Sequence, residues 1–268
     1  MKTMLRTICL LLAVLASAAH AQGRDIRLAT TTSTENSGLL KAILPVFEAK
    51  YGGKVRVISV GTGAALKLGE NGDADVVLVH ARPLEDRFMA AGYGALRKDV
   101  MYNDFIIVGP QRDPAGVRGA KDVIAAMKKI SASGARFVSR GDESGTHQME
   151  KDYWKDAGVT PRGAWYLSTG QGMGQVLTMT AQLEGYTLTD RATYAAYKDK
   201  TGLETLVEGD PKMFNPYGVI VVNPQRHPQT NHAGALALAN WLTSVEGQNA
   251  IAAFRINGVQ MFFPSAGK

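Results

Sequence analysis

The residues with the most chemical character lie in one stretch, Ser139-Arg140-Gly141-Asp142-Glu143-Ser144-Gly145-Thr146-His147. An extended apolar run, Arg136-Phe137-Val138, precedes it, and a helix-like run over residues 146–157 follows. The pattern predicts a strand, a glycine-containing loop and a helix N-terminus. Free N–H groups at a helix start favour negative charge. Hydroxyls add neutral donors, and the Arg140 guanidinium adds a planar, forked one. Such a set suits a small, fully ionised oxyanion. The alternative is an ordinary capped helix, because Ser, Asp and Gly are common at helix starts.

Two other loops share this chemistry. Thr30-Thr31-Thr32-Ser33 follows a short strand at 25–29, and Gly61-Thr62-Gly63 follows a strand at 54–60. Each leads into a helix. In open α/β sheets, ligands bind outside the carboxyl ends of strands. The first two loops precede a polar, Gly/Pro-containing segment at 111–119, which reads as a crossover between lobes, and the third follows it. One ligand touching all three would sit in an interlobe cleft.

The elements that must position these loops alternate between strand-like and helix-like patterns, which argues for α/β architecture with mainly parallel sheets. Pro45 is expected to kink or loosen the helix carrying Leu39, Leu40, Ile43, Leu44 and Phe47. Met101 to Val108 forms a long strand, and residues 233–254 form one long helical region with a break at Gly247. The expected division is a leader at 1–21, a first lobe at 22–108, a second lobe at 109–216 and a return to the first lobe at 217–268.

Residues 1–21 read as a secretory leader. Lys2 and Arg6 form a basic start, residues 8–15 an apolar segment too short to span a bilayer, and Ala19-His20-Ala21 an A-x-A cleavage site. Cys9, the single cysteine, falls inside this leader, so the mature chain is expected to hold no disulfide and no thiolate ligand. These features imply a soluble periplasmic protein with no membrane insertion.

The formal charge is +6. Removing the leader takes two bases and no acid, leaving 28 basic against 24 acidic residues. That excess helps attract anions over a distance. It is no nucleic-acid signature, because no basic stripe is interleaved with aromatics. His80, His147, His227 and His232 do not form a zinc-like ligand set, so no metal cation is expected. His80 reads as a hydrogen-bonded residue at the edge of the core, and His227 and His232 as solvated loop residues. A hydrolase using Ser144 and His147 is the reading from a different class. It lacks the G-x-S-x-G elbow and an orienting acid, so the chain is not expected to be an enzyme.

Several segments, in order along the chain, resemble the periplasmic tungstate-binding proteins of the TupA type, which serve ABC transporters. They are the Ala29-Thr30-Thr31-Thr32-Ser33-Thr34-Glu35-Asn36-Ser37-Gly38-Leu39-Leu40 start, Gly61-Thr62-Gly63-Ala64-Ala65-Leu66, Asp75-Val76-Val77-Leu78-Val79-His80-Ala81 and Tyr102-Asn103-Asp104-Phe105. The 139–147 loop and Gly170-Gln171-Gly172-Met173-Gly174 complete the set. Phosphate-binding transport proteins carry a similar Arg, Asp, Ser-Gly-Thr loop.

The resemblance implies a two-lobed periplasmic binding protein of the second structural type, with a ligand cleft between lobes. It implies tungstate, with molybdate, phosphate or sulfate as alternative oxyanions, and a membrane permease as partner. It implies no cofactor and a monomer. The implied ligand groups are Thr31, Thr32 and Ser33, then Thr62 and Gly63, then Arg140, Ser144, Gly145 and Thr146. Asp142 discriminates between ligands. A carboxylate facing the anion would suit protonated phosphate and repel tungstate, whereas one that pairs with Arg140 or caps the loop is structural. The structural role is the one expected.

Overall fold

The computed structural model describes residues 23–267. The leader, with Cys9, lies outside the described residues. In chain order, β1 (Ile26–Thr31), α1 (Thr32–Asn36), α2 (Leu39–Tyr51), β2 (Val55–Val60), α3 (Thr62–Asn71), β3 (Val76–Val79) and α4 (Arg82–Ala90) build the first part of one lobe. The long β4 (Gly94–Gly109) leads to α5 (Val123–Ser133), β5 (Phe137–Ser139), α6 (Gly145–Asp156), β6 (Tyr166–Ser168), α7 (Met173–Gln182), β7 (Thr187–Asp190), α8 (Arg191–Thr201) and β8 (Glu204–Val207). The chain returns along β9 (Phe214–Val222) to α9 (His232–Leu242), α10 (Val245–Ala253) and the short β10 (Arg255–Ile256), β11 (Val259–Gln260) and β12 (Phe263–Pro264).

The sheet is mixed. β2–β1–β3 and β5–β6 are parallel, as the alternating pattern predicts. The expectation of mainly parallel pairing gives way at β4 and β9, which run antiparallel to each other. β9 also pairs antiparallel with β3, and β4 with β7, β8 and β12. The cause is connectivity: β4 and β9 carry the chain out to the second lobe and back, so they run in opposite directions.

β3 and the 105–108 end of β4 are buried on both faces, which explains their unbroken apolar runs. Val76 and Leu78 of β3 face one core with Leu39, Phe47, Val219 and Trp241. Val77 and Val79 face another with Leu66, Phe88 and Ile220. In the second lobe Phe105 and Ile107 pack with Phe137, Trp154 and Tyr186, and Ile106 and Val108 with Met173, Val176 and Leu177. The alternation follows the two-residue strand period.

The change of core along β4 falls between Met101 and Phe105. The boundary expected after Val108 therefore lies inside the second lobe, because the strand continues unbroken through the junction. Residues 111–119 are not the crossover but a run of turns against the second lobe, with Val117 buried in its core. Other local expectations change as well. α2 continues through Pro45. The 233–254 helical region divides at Thr243–Ser244, where Ser244 caps α10, and Gly247 lies within that helix. His227 bonds the Glu70 carbonyl through its ring, and His232 opens α9 instead of lying in a loop.

Candidate functional site: a donor-lined interlobe cleft

β5 delivers the chain into the 139–147 loop, and α6 carries it away. Gly141 (φ +60°) and Glu143 (φ +55°) take the left-handed conformation, which turns Asp142 back onto the preceding arginine. Asp142 Oδ2 accepts from Arg140 Nη2 at 2.5 Å and from Nε at 3.2 Å. Its Oδ1 accepts from the Ser144 N–H at 3.2 Å. Asp142 thus pairs with Arg140 and caps its own loop. Ser144 Oγ in turn caps α6 by accepting from the His147 N–H.

Arg140 reaches across the cleft. Its side chain is 1% exposed, and Nη2 donates to Thr32 Oγ1 at 2.9 Å. Nearby, the Gly145 N–H donates to Thr62 Oγ1 at 3.0 Å. The three loops singled out in the sequence therefore meet at one place. A fourth helix start joins them. A Cβ on Gly172, immediately before α7, would stand 3.3 Å from Thr32 Oγ1. Sequence reasoning noted the Gly170–Gly174 segment only for its resemblance and left it out of the candidate ligand groups. A loop without Ser, Thr or Arg at its N-cap gives no side-chain signal.

Glycines set how closely the walls approach. A Cβ at Gly61 would lie 2.9 Å from the Asp142 carbonyl oxygen, and one at Gly145 would lie 3.0 Å from the His80 carbonyl oxygen. Gly63 is less tight, with Glu143 O at 3.7 Å. It lies in the first turn of α3, where an N–H has no intrahelical acceptor.

The four residues of the Thr-rich start have separate roles. Thr30 Oγ1 donates to the Leu78 carbonyl. Thr31 caps α1 by accepting from the Thr34 N–H, and its Oγ1 lies 2.7 Å from Thr34 Oγ1 and 3.0 Å from Ser33 Oγ. His80 Nε2 is 3.2 Å from both Thr31 Oγ1 and Ser33 Oγ. Thr32 accepts from Arg140, which leaves its own hydroxyl hydrogen available. Thr31 is thus bound into the floor of the cleft, and Thr32 faces the arginine.

Among the described residues, Arg140 Nη1 and Thr146 Oγ1 are buried and have no hydrogen-bond partner. Ser139 Oγ of the same loop, and Arg97 Nη2, Asp190 Oδ1 and His232 Nδ1 elsewhere, are likewise without a partner, whereas buried polar groups are ordinarily satisfied. Burial, with the Arg140 charge nearby, holds His80 down at about 4, so its ring is neutral. Glu150, behind the loop, is raised to about 7 by burial, and accepts from Trp154 Nε1 and Tyr166 OH. Among the described residues, Ser144 Oγ meets the His147 backbone N–H and the His147 ring meets the Glu143 N–H through Nδ1, with no bond between the Ser144 hydroxyl and the ring.

A PBP superfamily domain model matches residues 16–246. The tungstate-binding protein TupA of Peptoclostridium acidaminophilum is 47% identical over 248 residues, covering 91% of this chain and 87% of that protein. The chain belongs to the TupA family. Solved structures agree. One described as the tungstate ABC transporter from Geobacter sulfurreducens superposes with a TM-score of 0.80 at 55% identity, covering 86% of this chain and 98% of that one. TupA from Desulfovibrio alaskensis G20 gives 0.76 at 46% identity, covering 91% of this chain and all of the other. The two-lobed α/β architecture expected from sequence is thus that of a periplasmic binding protein of the TupA family. Among the described residues, no helix is long and apolar enough to cross a membrane.

Proposed function

We propose that this chain captures tungstate in its interlobe cleft, outside the cytoplasm, and delivers it to the permease of an ABC transporter. Family membership supports the ligand and the transport role. The observation that carries the chemistry is Arg140. Its guanidinium is buried at the meeting of four helix starts, anchored by Asp142 and Thr32, with one nitrogen still free to donate.

Tungstate and molybdate carry no proton at neutral pH, so their site needs donors only. The Asp142 carboxylate is occupied by Arg140 and the Ser144 N–H. That favours them over phosphate, which keeps a proton and gains from an acceptor. On this reading Thr32, Ser33, Thr62, Gly63, Arg140, Ser144 and Thr146 supply hydroxyl, guanidinium and N–H donors, while Gly145, whose N–H is taken by Thr62 Oγ1, lets the walls approach, and Thr31 braces them from below. The charge balance comes from one guanidinium and several aimed dipoles in a site from which water is excluded.

The lobes are taken to open and close about the two crossings, in β4 and at the start of β9. The chain is taken to be a monomer that is exported by its leader, uses no cofactor and has no catalytic activity. Titration calorimetry with tungstate, molybdate, sulfate and phosphate in one buffer tests the proposal. Tungstate is expected to bind tightest, molybdate next, and phosphate weakly or not at all. Tightest binding of phosphate would overturn the ligand, and no binding of any oxyanion would overturn the function.

A further inference from the structure

A buried chain of hydrogen bonds runs from α8 to the floor of the cleft, and each link has a direction. The Thr193 N–H donates to Asp190 Oδ2 at 2.9 Å. Asn103 Nδ2 donates to the same oxygen at 3.4 Å. Asn103 Oδ1 accepts from Asn215 Nδ2 at 2.7 Å. Asn215 Oδ1 lies 2.9 Å from His80 Nδ1, and His80 Nε2 lies 3.2 Å from the Thr31 and Ser33 hydroxyls. All of these side chains are buried.

Most members of this chain are reversible. An amide can turn over, an imidazole can change tautomer, and a hydroxyl can donate or accept. The Thr193 peptide N–H cannot: it only donates, so Asp190 Oδ2 accepts it, and Asp190 in its ionised form, which burial disfavours, has no hydrogen of its own to give to Asn103. That fixes Asn103 with its NH2 toward Asp190, which fixes Asn215, which requires His80 to carry its hydrogen on Nδ1. The ring is neutral, so it has a single hydrogen to place.

We propose that Asp190, at the end of β7, is a positioning residue of the anion site: in its ionised form it fixes His80, through Asn103 and Asn215, as the Nδ1–H tautomer. The bare Nε2 then accepts one hydroxyl hydrogen from the Thr31–Ser33 pair, both 3.2 Å away, so that the hydroxyl hydrogens of the cleft floor take a single order. The chain passes through β4 at Asn103 and β9 at Asn215, the strands that join the lobes. The floor of the site is thereby ordered from the junction itself. Without this anchor both hydrogen orders become accessible. If the competent order falls to half of the molecules, apparent affinity falls about twofold.

The effect on affinity rests on the oxyanion reading, whereas the tautomer does not. The test uses the purified protein with 15N-labelled histidine and long-range 15N–1H correlation spectra, the His80 signals being assigned by their loss in His80→Asn. The wild type is expected to show Nδ1–H. Asp190→Ser keeps a helix cap but is too short to reach Asn103, and is expected to give both tautomers and at least a twofold loss of tungstate affinity. Asp190→Asn keeps an oxygen on the Thr193 N–H and is expected to retain Nδ1–H. Asn215→Asp added to Asp190→Ser places a carboxylate directly on His80 Nδ1 and is expected to restore both the tautomer and the affinity. A folded Asp190→Ser protein with an unchanged Nδ1–H signal overturns the proposal. So does wild-type affinity in a variant whose His80 is mixed. If the wild type binds no tungstate, the oxyanion reading fails while the tautomer result still decides the relay.

Discussion

At the scale of single residues, Arg140 combines full burial, an anchoring carboxylate and unused donor capacity. Replacing it removes the one formal positive charge at the meeting of the loops and leaves Asp142 unpaired. Arg140→Ala is expected to weaken tungstate binding by well over tenfold in calorimetry, and unchanged affinity would remove Arg140 from the site. Neighbouring threonines separate binding from stability. Thr30 donates to a backbone carbonyl inside the sheet, whereas Thr32 accepts from Arg140. Thr30→Val is expected to cost about 1 kcal/mol of stability and leave affinity nearly intact. Thr32→Val should do the reverse, and a paired set of melting curves and titrations distinguishes them. Residue chemistry put both threonines in one loop, because Ser/Thr composition does not say which way a hydroxyl turns; only the family resemblance implied Thr32, and not Thr30, as a ligand group.

At the scale of elements, four helices start at the cleft, and their first turns are brought close by glycine. Gly61 precedes α3 with an ordinary negative φ (−70°), so its role is spatial rather than conformational. Gly61→Ala would place a methyl 2.9 Å from the Asp142 carbonyl on the other wall. The expected outcome is a melting temperature close to wild type in the absence of ligand and a clear loss of tungstate affinity, because only the approach of the walls is obstructed. A variant binding tungstate with full affinity would show that the walls do not need to meet. The loop-to-helix transitions at 61–63 and 144–146 were legible in sequence, because glycine and hydroxyl residues mark strand ends and caps. The junction between lobes was not. A crossing made by an uninterrupted strand has no turn residues, whereas the polar 111–119 segment, which has them, is a run of turns on the second lobe.

At the scale of the whole molecule, the cleft couples ligand to fold. A ligand that binds the folded state alone stabilises it by about 2.7 kcal/mol at a hundredfold excess over Kd. Thermal melts with tungstate should therefore rise with concentration, while melts with equal sulfate rise less. Buried titratable groups set the pH dependence. Glu150 has a folded pKa of about 7 against 4.5 when unfolded. It contributes nothing below pH 4.5, and its destabilising effect grows as pH rises to 7 and is constant beyond. His80 has a folded pKa of about 4 against 6.5, so its effect has the opposite sign: stability rises as pH climbs from 4 to 6.5. Glu150→Gln removes the first and keeps the second. Its stability relative to wild type is expected to improve between pH 5 and pH 8 by up to about 3 kcal/mol. Equal pH profiles for the two proteins in denaturant melts would show that Glu150 is not held in that state.

The sequence by itself determined the α/β class, the three anion-type loops and the residues available to donate. Those properties reside in short stretches: the two-residue alternation of a strand, the capping residues of a helix, and a guanidinium beside a glycine-rich turn. It also raised Asp142 as the discriminating side chain. Only the tertiary structure decided that Asp142 turns inward to Arg140, that Thr31 lies in the floor while Thr32 meets the arginine, and that α7 contributes a fourth helix start. It alone joined Asp190, Asn103, Asn215 and His80, which are up to 135 residues apart in sequence, into one directed chain. Local patterns carry local geometry. The direction of a hydrogen bond between distant side chains depends on which strands lie side by side, and that is settled when β4 and β9 pair.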